Sequence, residues 1–256
     1  MNYFEYSYPP QDKEDFYKKP YRYAFPACKM VGNLYFVGDC SVGAHVLKTQ
    51  KGIVLIDSLY PTSQANLIHS LWSIGVNPEE IKYLIHTHGH YDHFGATERI
   101  KTLSGCTTYL GRRDYEMFQT KPELSFANES RLKHFDTFEP DVLLDGGEVL
   151  DFGDVKIKVV ATPGHSDGCL SFFFDMQEDG KTYTCGLFGG AGLNTLNDDF
   201  VRQNGNLYSR DEFAATLEKL LAMDVDVFLS NHTMQGHMKE KWLKQQEDGK
   251  NPFINP

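Results

Sequence analysis

The chain has 256 residues, with 25 Lys and Arg against 35 Asp and Glu for a net charge of -10, and 41% hydrophobic residues. This is enough chain to fill one large core, and the acidic balance without any Lys/Arg cluster argues against a nucleic-acid partner. No run is long enough to span a membrane, and the first residues carry neither the basic start nor the apolar core of a secretory signal, so a cytoplasmic location is expected.

Residues 1–28 are rich in Tyr, Phe and Pro, and Pro9, Pro10, Pro20 and Pro26 prevent a long helix. They read as an arm leading into a single domain over residues 29–256. So many aromatics are costly to leave in water, so the arm is expected to pack on its own domain, with a homodimer or the pocket mouth as the other destinations. Three strand-like runs follow, Asn33 to Val37, Gly43 to Thr49 and Ile53 to Asp57, separated by turn residues as in an antiparallel meander. From Thr62 to Ile74 the residues Leu67, Ile68, Leu71 and Trp72 recur at helical spacing. Asn77-Pro78-Glu79-Glu80 starts a short helix, and Ile81 to Ile85 reads as a buried strand.

That strand delivers His86-Thr87-His88-Gly89-His90-Tyr91-Asp92-His93, which puts four imidazoles and a carboxylate within eight residues. No packing requirement asks for this. Side chains alternate along a strand, so His88 and His90 point the same way and can grip one ion, while the adjacent Asp92 and His93 diverge and suit a second. Imidazole and carboxylate without cysteine favour zinc. Asp92 is alternatively a cap for the helix that begins near Phe94.

Ala96 to Leu103 is helical and Thr107 to Leu110 is another buried strand, so the alternation of strands and helices is α/β in character. Residues 112–140 form a polar insertion, too long for a simple connection, in which Tyr115, Phe118, Phe126 and His134 are expected first to pack on a surface helix and are alternatively candidate pocket residues. The second half is expected to begin near Val142. Val155 to Ala161 alternates like a half-exposed strand and runs into Thr162-Pro163-Gly164-His165-Ser166-Asp167-Gly168, a tight turn that presents His165 at a strand end. Strands at Leu170 to Asp175 and Lys181 to Phe188 lead to a Gly- and Asn-rich loop, 189–206, expected to be mobile. A helix with the apolar face Phe213, Leu217, Leu220 and Leu221 precedes a strand, Val225 to Leu229, which ends in Ser230-Asn231-His232. Met238 to Gln246 is a terminal helix. The five cysteines are scattered without a CxxC pair, as reduced thiols are, and have no assigned role.

His88-x-His90-x-Asp92-His93 followed by Phe94-Gly95, together with Thr162-Pro163-Gly164-His165-Ser166-x-Gly168, resembles the metallo-β-lactamase superfamily. The resemblance implies a four-layer αβ/βα sandwich with metals at one edge. It implies that His88, His90 and His165 hold one Zn2+ and that Asp92, His93 and His232 hold the other. It also offers Asp57 as a buried group beside the metals, with a simple turn aspartate as the alternative, and makes the 112–140 insertion a border of the pocket. Where many relatives carry a bridging aspartate, this chain has Ala191 and its neighbours; it also lacks the cysteine of another subclass, which leaves a ligand set like that of the third subclass of metallo-β-lactamases. The implied activity is hydrolysis of a small lactam, lactone, ester or thioester by a metal-bound hydroxide, with Asp92 orienting it and passing a proton and with His86 and His45 tuning the ligands. A true β-lactamase and a non-hydrolytic or redox di-iron protein are the competing readings; relatives of the last kind carry a glutamate where His90 stands.

Overall fold

The computed structural model describes residues 3–4, 8–204, 209–248 and 251–254. Residues 5–7 of the arm and 205–206 of the Gly- and Asn-rich loop lie outside the described residues. The first sheet has seven strands in sequence order: β1 Cys28–Val31, β2 Leu34–Phe36, β3 His45–Thr49, β4 Gly52–Ile56, β5 Ile81–Ile85, β6 Thr107–Gly111 and β7 Val142–Leu144. β1 to β4 pair antiparallel, and β4 to β7 pair parallel. The second sheet contains β8 Val149–Asp151, β9 Lys156–Ala161, β10 Leu170–Glu178, β11 Lys181–Phe188 and β12 Val227–Ser230, in the order β12-β11-β10-β9-β8. Within it β11 and β12 run parallel and the other pairs antiparallel.

The meander expected over residues 33–57 is present, extended at its outer edge by β1, whose buried-exposed-buried start is too short to stand out in the sequence. β7 belongs to the first sheet, so the second half of the fold begins after Val142–Leu144 and not at Val142. Its pairing to β6 is settled by a tertiary partner that a three-residue run cannot announce.

Between the sheets the inward residues Leu34, Phe36, Leu47, Val54 and Ile56 meet Ile157, Val159, Phe172, Leu187 and Leu229. On the outside of the first sheet, Val46, Leu55 and Leu84 are covered by Leu67, Leu71 and Ile100. The helices are α1 Lys13–Lys18, α2 Gln64–Ser73, α3 Tyr91–Phe94, α4 Thr97–Ser104, α5 Arg112–Thr120, α6 Asp198–Asn204, α7 Ser209–Leu221 and α8 Met238–Asp248. α2 and α4 supply the outer layer on the first sheet. α7 lies on the second, where Phe213 stacks on Phe188 and Lys219 Nζ donates to the Ala161 carbonyl. The result is the four-layer αβ/βα sandwich. Among the described residues no helix is long and apolar enough to cross a membrane. All five cysteines are free and buried.

Two expected helix faces are corrected. Trp72 is 63% exposed although its neighbour Leu71 is fully buried. In α7 the buried residues are Ser209, Phe213 and Thr216, while Leu217 and Leu221 face water. In both helices the tertiary contact is narrower than the apolar stripe.

The arm packs on its own chain. Prolines limit its helix to the six residues of α1, capped by Asp12, and Phe16 is buried against Tyr23 and Tyr60. Tyr17 and Tyr91 share a hydroxyl hydrogen bond of 2.5 Å, and Tyr8 donates to the Thr233 carbonyl.

β4, β5 and β6 run parallel, as do β11 and β12, so the loops after β4, β5, β9, β11 and β12 all emerge at one edge of the sandwich. The loop after β5 carries His88 to His93, the loop after β9 carries His165, and the loop after β12 carries His232. Replacing Leu71 by Ala should cost about 2–5 kcal/mol of unfolding free energy in urea, whereas Trp72→Ala should stay within about 0.5 kcal/mol. Equal losses for the two variants would contradict the burial described here.

Candidate metal centre

Two groups of ligand atoms form at this edge. His88, His90 and His165 make one, and Asp92, His93 and His232 make the other; within each group the ligand atoms lie within 4.8 Å of one another. The groups are neighbours, since the rings of His88 and His93 are 4.2 Å apart between centroids. Within the first group the ring centroids are separated by 4.6 to 4.8 Å. All six residues that the motifs single out therefore gather in one place.

The tautomers follow from the acceptors behind each ring. His165 donates from Nδ1 to the Gly192 carbonyl at 2.8 Å, and His232 Nδ1 faces the Ser41 carbonyl at 3.3 Å. His93 donates from Nδ1 to Asp57 Oδ2 at 2.9 Å. His88 Nδ1 is 3.0 Å from Thr87 Oγ1, whose own hydrogen goes to Asp57 Oδ2 at 2.7 Å, so His88 donates into a relay that ends on the same carboxylate. Each of these four rings presents Nε2 to the centre. Among the described residues the Nε2 atoms of His88 and His93 are buried without a hydrogen bond, His93 Nε2 having only the ion-pair contact with Asp92 Oδ2 at 3.4 Å.

A buried nitrogen left unpaired costs about 1–3 kcal/mol, and two that converge with four further ligand atoms match the requirement of a cation. The donor set of five imidazoles and one carboxylate fits zinc. Charge supports the same fit. Burial, reinforced by the neighbouring imidazoles, keeps His88 and His90 well below the usual histidine range, and burial lowers His165 to about 4, so these rings are neutral and able to ligate. His93 differs. Burial opposes its cation, but the carboxylates of Asp92 and Asp57 on either side push it up to about 10. Burial likewise opposes the ionised Asp92, yet the positive charge of His93, with His232 beyond, holds that carboxyl well below the usual range. Asp92 Oδ2 lies 3.4 Å from His93 Nε2 and 3.7 Å from His232 Nε2.

Asp57 sits at the end of β4, fully buried, with φ +61. It accepts three hydrogen bonds, from Thr87 N, Thr87 Oγ1 and His93 Nδ1. The loop after β11 is not the free segment expected. Gly190 and Gly192 lie against His165 so closely that an added Cβ would stand 2.7 Å and 2.8 Å from its ring carbons, so side chains are excluded there by contact. These glycines flank Ala191, where many relatives carry a bridging aspartate.

His86 and His45 do not tune the ligands. His86 spends Nδ1 on the Tyr109 carbonyl and Nε2 on Thr97 Oγ1, and packs on Phe138. His45 is buried edge-on to Phe36 with both ring nitrogens unpaired among the described residues. Of the four candidate pocket residues, Phe126 reaches the centre, with its ring 5.0 Å from His90. Phe118 is buried against Phe94 and Phe138, Tyr115 donates to Glu139, and His134 is exposed.

Sequence reasoning missed Asp114, which is fully buried in α5 and accepts from Gly89 N, Ser166 Oγ and Gly168 N. A lone acid inside a helix has no spacing partner, and nothing else in the sequence marks it.

Two cavities open on the centre and share His90 and His165. One, of about 280 Å3, includes Met117, Leu124, Phe200 and Val201 among its walls. The other, of about 510 Å3, holds Asp92 and His232 with Ser41, Asn194 and Gln235, and the arm contributes Pro9 and Lys13.

Fold and centre together place two candidate metal-ligand groups at one edge of an αβ/βα sandwich. The sequence profile of the metallo-β-lactamase superfamily matches residues 37–232. Hydroxyacylglutathione hydrolase GloC of Haemophilus influenzae is 27% identical over 223 residues, covering 86% of this chain and 94% of that protein. BJP-1, a subclass B3 metallo-β-lactamase of Bradyrhizobium japonicum, superposes with a TM-score of 0.79 at 25% identity, covering 93% of this chain and 89% of that one. FEZ-1, a metallo-β-lactamase of Legionella gormanii, gives 0.81 at 25% identity, covering 91% and 89%. The chain belongs to the metallo-β-lactamase superfamily.

Burial holds His45 at about 4, whereas a histidine in an unfolded chain titrates near 6.5. Between these values the unfolded chain binds the extra proton, so this contribution to stability is complete above pH 6.5 and is lost as the pH falls toward 4. Urea unfolding should register about 3 kcal/mol of loss from this residue between pH 7 and pH 4. A His45→Leu variant should lack that component, and identical pH profiles for the two proteins would contradict it.

Proposed function

We propose that this chain is a two-zinc hydrolase acting on the carbonyl of a small acyl or cyclic substrate. One zinc would be held by His88, His90 and His165, and the other by Asp92, His93 and His232. The observation that carries this reading is the convergence of six ligand atoms around the buried Nε2 atoms of His88 and His93, neither of which makes a hydrogen bond among the described residues. Zinc held there would supply a water with its pKa lowered to about 7 and a Lewis acid for a carbonyl.

The side chains supply the rest. Asp92, whose side chain is 14% exposed at the floor of the larger cavity, takes the proton of the attacking water on its carboxylate and returns it to the leaving group. The imidazoles keep the tautomers set by Gly192, Asp57, Thr87 and Ser41, so no reorganisation accompanies the reaction. Because His90 and His165 line both cavities, the scissile group sits where the two meet. The apolar part of the substrate then lies against Met117, Leu124, Phe200 and Val201, and the polar part among Ser41, Asn194 and Gln235. Five free, buried cysteines accord with a reducing, cytoplasmic setting.

Two substrate classes have specific support. The coverage of the hydroxyacylglutathione hydrolase favours a thioester, and the superposition on two metallo-β-lactamases favours a lactam. The deciding experiment is turnover of a panel comprising a hydroxyacyl thioester, a lactone, an aryl ester and nitrocefin by zinc-loaded protein, with elemental analysis of the metal. At least one compound should be turned over, chelation should abolish the activity and zinc restore it, and Asp92→Ala should lower kcat by about 10^2–10^4-fold. Chelator-insensitive turnover, or none on any of the four, would remove the proposal.

A further inference from the structure

Asp114 stands third in α5, a position from which an acidic side chain ordinarily serves its own helix. Here it makes no cap. Its acceptors are spent on two other loops: Oδ2 takes Gly89 N at 2.6 Å and Ser166 Oγ at 2.8 Å, and Oδ1 takes Gly168 N at 2.7 Å. Gly89 lies between His88 and His90, and Ser166 directly follows His165. The two loops bonded to this one carboxylate therefore carry all three ligands of one group and, through His165, the only ligand of that group from the second sheet's side of the cleft.

The approach is too close for side chains on either loop. A Cβ at Gly168 would stand 2.3 Å from Asp114 N, and one at Gly89 would stand 2.9 Å from Phe118 and 3.1 Å from Asp114 Cβ. The last glycine of Thr162-Pro163-Gly164-His165-Ser166-Asp167-Gly168 is thus required by Asp114 and not by the turn alone. The second group has a different support. Asp92 and His93 follow Gly89 on the same loop, but His93 rests on Asp57 and His232 on the Ser41 carbonyl, and Asp114 bonds to none of these residues directly.

We propose that Asp114 is a positioning residue that holds the His88/His90/His165 group in register across the cleft, so that it sets the affinity of that metal site more strongly than that of the Asp92/His93/His232 site. This rests on the two-metal reading above. An asparagine in its place keeps the size but gives up one acceptor oxygen and turns an N–H toward donors, so the register is lost without a cavity.

The test is titration of the metal-free protein with Co2+, followed by the visible absorption of the bound ion, which reports ligand geometry independently of catalysis. Two single-site backgrounds separate the groups: His232→Ala leaves the three-histidine group intact, and His165→Ala leaves the other. Asp114→Asn should weaken Co2+ binding about 10- to 100-fold and alter the spectrum in the first background, with a loss in the second that is at least several-fold smaller. Ser166→Ala, which removes one of the three donors, should give a smaller loss confined to the same background, and it serves if Asp114→Asn does not fold as judged by circular dichroism. Equal weakening in both backgrounds, or in neither, would overturn the role of Asp114 while leaving the two-zinc hydrolase standing. A parent chain that binds no Co2+ at all would overturn both.

Discussion

A single buried carboxylate underlies the geometry of the centre. Asp57 accepts directly from His93 and, through the hydroxyl of Thr87, from His88, so one ring in each ligand group takes its tautomer from the same residue. A carboxylate with no exposed surface is tolerated only where its oxygens are satisfied, and the third bond, from Thr87 N, completes that set. The arrangement couples the two metal positions mechanically: neither His88 nor His93 can rotate without disturbing the acceptor of the other. The backbone carries part of the cost. Asp57 and Leu59 both have φ near +60, a conformation that costs a non-glycine residue of order 1–3 kcal/mol.

The sheet topology determines which residues can take part. Only strands that run in one direction deliver their following loops to the same edge, and β4, β5, β9, β11 and β12 share that direction across two sheets. Each of these strands ends in a functional segment. The one after β11 contributes no ligand, and its glycines instead allow the chain to close on His165 and fix that ring through the Gly192 carbonyl. A side chain at Gly190 or Gly192 would meet the His165 ring, so the glycines on either side of Ala191 leave this loop without a ligand of its own.

The strands and the ligands were legible because each rests on local spacing. Period-two alternation marks β9, and the histidine pattern at 88, 90 and 93 has no packing explanation, so it stands out from any background. What was not legible depends on contacts far apart in the chain. Trp72 carries the right helical phase, yet the layer it would pack on ends at Leu71. His86 and His45 sit beside the motif or on a strand that reaches it, but their rings point away from the ligands, and sequence proximity gives no rotation. Asp114 is the reverse case. It is 21 residues or more from every ligand-bearing segment and looks like any surface acid until the loops of Gly89 and Gly168 close over it.

The central claim is that the buried Nε2 atoms of His88 and His93 exist to hold metal. Anomalous diffraction from crystals grown with zinc, collected on either side of the zinc absorption edge, tests it most directly. The account predicts two peaks, one among His88, His90 and His165 and one among Asp92, His93 and His232. An electron-density map with those six side chains in place and no anomalous signal between them would contradict it.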